Sequence, residues 1–153
     1  MTPAESAERT ARTALAAHEV VREIAKAPFK AIRGGLSNYA WRVNHDGCGY
    51  FLRLGGGGSE SLGVDRRSEC NLLGAVSAAG LAPDVVVCDP DRDLLVTRFV
   101  RAATWTRQAA RETGNLRRIG AALRTLHSLP LRPGIRPVSF AAQARFLADQ
   151  LGA

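Results

Sequence analysis

Tyr50-Phe51-Leu52-Arg53-Leu54 is a short apolar run that contains a single cation, and it decides the fold of this chain. Apolar runs of this length, bounded by glycine-containing turns, are typical of β-strands. Because side chains alternate between the two faces of a strand, Arg53 shares a face with Phe51 and lies opposite Leu52 and Leu54. Such a cation either marks a strand edge or faces a cleft. The second interpretation requires an anionic partner.

Glu69 is the best partner for Arg53, and it lies on a predicted helix that Asp65 can cap. The apolar stripe of this helix consists of Leu72, Leu73 and Val76. Glu69 shares their face, which should pack on a sheet, and an unpaired carboxylate there would be costly. We therefore predict an ion pair between Arg53 and Glu69. The alternative, in which Glu69 lies at the edge of the stripe and reaches water, is left open by the sequence.

The residues before Arg53 predict one helix and three strands. Apolar spacing through Ala14, Ala17, Val21 and Ile24 predicts an amphipathic helix over residues 4–26, ended by Pro28. Residues 29–54 then alternate as a three-stranded meander. Its first turn is Gly34-Gly35 and its second is His45-Asp46-Gly47.

The residues after Glu69 predict two strands and then helices alone. Residues 85–87 and 94–96 flank the turn signal Asp89-Pro90-Asp91-Arg92. Apolar spacing predicts helices over residues 115–129 and 140–151. The fold class is therefore α+β, with a five-stranded, mostly antiparallel sheet and one inserted helix. We predict three parts: an N-terminal helix at 1–28, a sheet lobe at 29–100 and the start of a helical lobe at 101–153.

Composition restricts the class of protein. The net charge is +7, and Lys26 and Lys30 are the only lysines among 21 basic residues. Arginine suits bidentate phosphate contact, so a nucleic-acid binder is one hypothesis, but the arginines are spread along the chain.

Cys48, Cys70 and Cys88 form no metal-ligand motif, and we predict reduced thiols in a cytoplasmic protein. No stretch is long and apolar enough for a membrane span.

The segment Gly34-Gly35-Leu36-Ser37-Asn38 is a candidate phosphate-binding turn. Glycines let backbone N–H groups approach an anion closely, and Ser37 and Asn38 add polar side chains. A Gly-Gly hairpin turn without ligand is the simpler alternative.

His127 could suggest a general base, but no Asp or nucleophile adjoins it, so we assign it to packing at a helix end.

Seven segments of the chain together carry a resemblance to a known family. They are Gly34-Gly35-Leu36-Ser37-Asn38, Tyr39-Ala40-Trp41-Arg42-Val43, Phe51-Leu52-Arg53-Leu54, Val64-Asp65-Arg66-Arg67-Ser68-Glu69, Gly80-Leu81-Ala82-Pro83, Leu94-Leu95-Val96-Thr97-Arg98-Phe99 and Leu123-Arg124-Thr125-Leu126-His127-Ser128-Leu129. In this order and spacing, over residues 29–130, the chain resembles the aminoglycoside phosphotransferase and choline/ethanolamine kinase family. The glycine segment and the Asp-Arg-x-x-Glu segment look more like choline and thiamine kinases than antibiotic-resistance enzymes.

The resemblance implies a protein-kinase-like fold in which the γ-phosphoryl of ATP moves to a hydroxyl of a small molecule, with Mg²⁺ neutralising charge. It implies that Arg53 holds the α- and β-phosphates and that Glu69 fixes Arg53. It further implies that residues 34–38 cover the phosphates. Adenine would lie against a hinge formed by Thr97, Arg98, Phe99 and Val100.

The resemblance is partial. The family's catalytic loop, His-Gly-Asp followed by Asn, and its later metal-binding Asp do not occur in these residues; His45-Asp46 lies in a predicted turn, and Asp149 has no downstream Asn. Because phosphoryl transfer depends on such groups, we expect a truncated portion that is inactive alone, and we assign no catalytic or metal-binding residue. The alternative is a non-catalytic nucleotide- or protein-binding module. Without a larger helical lobe, Leu116, Ile119, Leu147 and Leu151 of the last two helices should stay partly exposed and favour self-association.

Overall fold

The structure is a computed structural model that describes residues 1–35, 37–57, 63–130, 133, 135 and 139–151. Its helices are α1 (Pro3–Ala16), a 3₁₀ helix (Glu19–Lys26), α2 (Arg66–Ala78), α3 (Arg107–Arg111), α4 (Thr113–Ser128) and α5 (Phe140–Leu151). Its strands are β1 (Phe29–Ala31), β2 (Asn38–His45), β3 (Cys48–Gly55), β4 (Val85–Asp89) and β5 (Leu94–Arg98).

The strands form a five-stranded sheet in the order β1-β2-β3-β5-β4, in which every neighbouring pair is antiparallel. The predicted α+β fold with its inserted helix is therefore confirmed. The β2–β3 hairpin turns through Asp46 and Gly47, whose φ angles are 47° and 71°. Two successive positive φ angles are what a two-residue hairpin turn of the right twist requires, and an Asp-Gly pair supplies them.

One face of the sheet, here called the α1 face, carries the core of the molecule. Its buried strand residues are Trp41, Val43, Leu52, Leu54, Leu94 and Val96. Against them pack Leu15 of α1 and Val21 and Ile24 of the 3₁₀ helix, all nearly or fully buried. Contact between apolar side chains on both layers removes most of this surface from water, which is the main source of stability.

The predicted single helix over residues 4–26 is wrong in one respect, because it is two elements. α1 ends at Ala16, and His18 is extended, with φ −110° and ψ 113°. The following residues form a 3₁₀ helix, in which side chains three apart lie on one side, so Val21 and Ile24 both face the sheet. Ala17, which a continuous helix would have buried, is exposed.

α2 covers part of the opposite face, here called the α2 face, on which Ala40, Arg53, Leu95 and Cys88 lie. The predicted cap is confirmed: a carboxylate oxygen of Asp65 accepts a hydrogen bond from the backbone of Ser68 at 2.9 Å. None of the residues of α2 is fully buried, however, and Leu72 is 40% exposed. α2 is therefore held over the sheet by few apolar contacts.

The prediction of three reduced thiols is wrong for two of them. Cys70 of α2 and Cys88 of β4 form a disulfide with their Cα atoms 5.7 Å apart, whereas Cys48 is free and exposed. The pair is eighteen residues apart in the chain and forms no motif, so only the packing of α2 over β4 shows it. The cytoplasmic location rested on reduced thiols and stays a prediction.

The C-terminal helices expose much of their apolar surface. On α4, Leu116 is 52% and Leu123 46% exposed, while Ile119 is half-buried; on α5, Leu147 is 38% exposed. The side chain of Leu151, also expected to be exposed, lies outside the described residues. Partial exposure is thus seen on both helices, and self-association stays a prediction. In the described ranges, no helix is both long and apolar enough to span a bilayer.

Candidate functional site

A single row of residues across the α2 face holds the centre of the candidate site. The strand register places Ala40 beside Arg53, Arg53 beside Leu95 and Leu95 beside Cys88. Residues opposite each other on antiparallel strands share a face, so all four face α2. Arg53 is the only charged member of this row, and it lies near the middle of the sheet.

Arg53 and Glu69 form the ion pair predicted from the sequence. Nη1 of Arg53 donates to Oε1 of Glu69 at 2.5 Å, and Nη2 donates to Oε2 at 2.8 Å. Two parallel bonds between a guanidinium and a carboxylate fix the orientation of both side chains. The side chain of Arg53 is 15% exposed and that of Glu69 28% exposed. The alternative left open by the sequence, in which Glu69 reaches water in place of a cation, is therefore wrong.

The charged form of Glu69 is favoured at this position. The hydrogen bond from Arg53 lowers the pKa of Glu69 below its ordinary value of 4.5, and this outweighs the opposing effect of burial. Arg53 keeps donors for another anion, since a guanidinium has five N–H groups and Glu69 takes two. Its Nε atom is buried and has no hydrogen-bond partner among the described residues. The pair can therefore accept a further anionic group without breaking.

Arg66 was not identified from the sequence, and it connects three parts of the site. Its Nη1 donates to Oε2 of Glu69 at 2.9 Å, and its Nη2 donates to Oδ1 of Asn38 at 2.8 Å. Its Nε lies 2.6 Å from Oδ1 of Asp93, and its side chain is 13% exposed. The available signal was its position three residues before Glu69, which places both on one side of α2.

The glycine turn between β1 and β2 is held close to the end of β3. Gly34 has a φ of 117°, and a Cβ on Gly35 would lie 2.8 Å from the carbonyl oxygen of Asn38, so both positions suit glycine. The carbonyl of Ser37 accepts a hydrogen bond from the backbone of Gly56 at 2.9 Å. Leu36, predicted as part of this turn, lies outside the described residues.

Asn38 joins the glycine turn to the ion pair. Its Oδ1 accepts from Arg66, while its Nδ2 donates to Oγ of Ser37 at 3.2 Å. A cavity of about 430 Å³ lies along the β1–β2 edge, lined among others by Gly34, Gly35, Ser37 and Asn38. Arg53 and Glu69 do not line this cavity, so Asn38 is the residue shared by the two parts of the site.

The predicted hinge has its side chains on different faces. Thr97 is buried on the α2 face, in register with Phe51, whereas the guanidinium of Arg98 lies on the α1 face, 4.8 Å from the ring centre of Tyr50. The ring of Phe99 lies 4.4 Å from the guanidinium of Arg42. Arg98 therefore cannot reach the Arg53 side of the sheet with its side chain.

The backbone of the hinge is partly used by the sheet. The N–H of Arg98 donates to the carbonyl of Asp84, and the N–H of Phe99 donates to the carbonyl of Gly49, both at 2.9 Å. Val100 is 56% exposed, and within the described part of the chain its N–H makes no such bond. The free hydrogen-bonding capacity at this strand end therefore includes the Val100 N–H.

Among the described residues, no group of three or more His, Cys, Asp and Glu side chains is placed to hold a metal ion. The carboxylates on the α2 face are instead paired with arginines: Glu69 with Arg53 and Arg66, and Asp93 with Arg66.

Residues 28–153 match the family model described as the phosphotransferase enzyme family. This chain belongs to the phosphotransferase enzyme family. The match includes the glycine turn, the Arg53–Glu69 pair and the hinge, and it confirms the resemblance inferred from the sequence. No curated protein matches this chain.

Two solved structures share the fold of this chain. An ethanolamine kinase of Plasmodium vivax superimposes with a TM-score of 0.61 at 17% identity, covering 88% of this chain and 34% of its own. A choline/ethanolamine kinase family protein of Mesorhizobium loti gives a TM-score of 0.59 at 24% identity, covering 94% of this chain and 51% of its own. This chain thus spans about a third of one and half of the other.

Proposed function

We propose that this chain is the ATP-binding portion of a small-molecule kinase, which transfers the γ-phosphoryl group of ATP to a hydroxyl of an amino alcohol such as choline or ethanolamine, or of thiamine. The observation that carries the proposal is the bidentate Arg53–Glu69 pair, connected through Arg66 to Asn38 at the glycine turn. The family match supports it, as does the fold shared with an ethanolamine kinase and with a choline/ethanolamine kinase family protein.

In the proposed complex, Arg53 contacts the α- and β-phosphates with the donors that Glu69 leaves free. A guanidinium is planar and always charged, so its fork can meet two phosphate oxygens at once, unlike the point charge of a lysine. Glu69 holds the guanidinium of Arg53 in one orientation, so that phosphate binding costs less side-chain conformational entropy. Gly34, Gly35, Ser37 and Asn38 would cover the phosphates from above, with backbone N–H groups as further donors.

The adenine would lie against Thr97, Arg98, Phe99 and Val100. Because the N–H groups of Arg98 and Phe99 are bonded within the sheet, the Val100 N–H is the donor we assign to adenine. The described residues fit ATP in this respect, and they do not fit Mg²⁺, for which they offer no cluster of ligands. We derive no metal-dependent step from this chain.

Calorimetric titration tests the nucleotide proposal. We expect ATP to bind the wild-type chain and Arg53→Ala to bind it at least about tenfold more weakly, because one charged phosphate contact contributes at least 1.4 kcal/mol or so. Adenosine should bind both proteins equally, since it lacks phosphates. Arg67→Ala is the control, because it also removes one arginine but from a 69% exposed position on α2, outside the Arg53–Glu69 pair. No heat with wild-type protein would end the proposal.

A non-catalytic binding module is the second candidate, favoured by the exposed apolar residues of α4 and α5. Phe140 is 92% and Leu116 52% exposed, and surfaces of this kind often contact another protein. In this case the chain would self-associate through these helices. Sedimentation velocity over a range of concentrations tests this, and Leu116→Gln should shift the chain toward monomer; a concentration-independent monomer would refute it.

A further inference from the structure

The disulfide and the ion pair attach neighbouring residues of α2 to the same row of the sheet. Glu69 and Cys70 are consecutive, and their targets Arg53 and Cys88 flank Leu95 on the α2 face. Two strand spacings separate the targets, which is about 10 Å. Consecutive helical side chains diverge by about 100°, so Glu69 can extend toward Arg53 on β3 while Cys70 extends toward Cys88 on β4. The disulfide thus fixes α2 directly beside the point at which Glu69 must meet Arg53.

Few other contacts hold α2 in place. It has no fully buried residue, and Leu72 of its apolar stripe is 40% exposed. Arg67 of α2 forms an ion pair with Asp91, and these side chains are 69% and 75% exposed. Ion pairs exposed to water contribute little to stability. The other contributions are half-buried apolar residues such as Leu73 and Val76, and the charged network of Arg53, Glu69 and Arg66. Apart from the main chain, the Cys70–Cys88 bond is the only covalent link between α2 and the sheet among the described residues.

We propose that the Cys70–Cys88 disulfide is a positioning element for Glu69, so that polyphosphate binding at Arg53 responds to a dithiol. The binding part of this proposal rests on the proposed function, whereas the positioning part does not. With the disulfide intact, α2 cannot leave the sheet, and Glu69 stays within reach of Arg53. After reduction, α2 is held by its charged contacts and its few apolar contacts, and a smaller fraction of molecules presents the guanidinium in its binding orientation.

The chemical step is thiol–disulfide exchange with a dithiol. One thiolate of the dithiol attacks a sulfur of the disulfide and breaks the S–S bond, which gives a mixed disulfide and one cysteine thiolate. The second thiolate of the dithiol then displaces the other cysteine and closes a cyclic disulfide. The protein gains two electrons and two protons as two thiols, and the dithiol loses the same number.

Hydrogen exchange of the α2 amides tests positioning without any nucleotide. We expect addition of dithiothreitol to the wild-type chain to accelerate exchange in residues 66–78, while amides of β2 and β3 stay protected, because the core on the α1 face does not depend on the disulfide. Equal exchange in both redox states would overturn the proposal. So would mass spectrometry showing both thiols free in protein purified without reductant.

Calorimetry with ATP, with and without dithiothreitol, tests the consequence for binding. If the binding orientation falls to a tenth of the population, the apparent affinity falls about tenfold. Cys70→Ala with Cys88→Ala should bind ATP as the reduced wild type does and should ignore the dithiol. Cys48→Ala, which removes the exposed free thiol, should remain sensitive.

The outcomes separate the two proposals. ATP binding that is the same in both redox states, with α2 exchange accelerated, would overturn the link between α2 and Arg53. Absence of ATP binding in both states would refute the proposed function, while hydrogen exchange would still decide whether the disulfide positions α2. Should the double variant fail to fold, the dithiol titration of the wild-type chain gives the same comparison.

Discussion

The two faces of the sheet are built on different principles. On the α1 face, Val43, Leu52 and Val96 are fully buried beneath α1 and the 3₁₀ helix. On the α2 face, the central residue is Arg53, which is 15% exposed and paired with Glu69, 28% exposed. The first face contributes stability through apolar burial, and the second holds charged groups in a fixed arrangement at some cost in desolvation. A fold of this size can therefore carry a network of charged side chains on one face because the other face supplies the core.

The largest expected effect is on the α1 face. Leu52→Ala removes a fully buried side chain, so we expect the free energy of unfolding to fall by about 3 kcal/mol through lost burial and the cavity left behind. Denaturant unfolding measures this. Leu72→Ala on α2 is the control, and because Leu72 is 40% exposed its cost should be below about 1 kcal/mol. Equal losses for the two variants would remove the distinction between the faces.

A smaller effect is expected from the arginine network of the α2 face. Arg66→Ala leaves Asn38, Glu69 and Asp93 without a shared partner, and we expect a loss of about 1–2 kcal/mol in unfolding free energy. Arg67→Ala, which removes an exposed arginine from the next position, should change it by less than about 0.5 kcal/mol. If Arg66 and Arg67 proved equivalent, the network on this face would have no role in stability.

The smallest effect is the pH dependence contributed by Glu69. Its pKa is lowered in the folded chain by the hydrogen bond from Arg53, so folding favours the charged form. The stabilisation is fully present above its ordinary pKa of 4.5 and is lost as the pH falls through the lower, folded value. Comparing the unfolding of wild type and Glu69→Gln from pH 7 to pH 3 measures this contribution. A difference that grew as the pH fell would contradict the assigned direction.

Sequence patterns predicted what depends on local order. The alternation of residues 29–54, the Asp-Gly turn at residues 46–47 and the Asp65 cap each report a preference of a few consecutive residues, and each is present in the structure. The Arg53–Glu69 pair was also predictable, because a carboxylate on an apolar helical face requires a partner. The break near His18 was missed, since periodicities of 3.6 and 3.0 residues are hard to distinguish over a few turns.

The sequence by itself determined the order of the five strands and the inserted helix, and it favoured a cation opposite Glu69. Only the tertiary structure decided which distant residues meet: Cys70 with Cys88, Arg66 with Asn38 and Asp93, and the guanidinium of Arg98 with Tyr50 on the face away from Arg53. Local preferences act over a few residues and leave a signal in the chain. Long-range contacts depend on how α2 and the strands pack, and no local pattern specifies that packing.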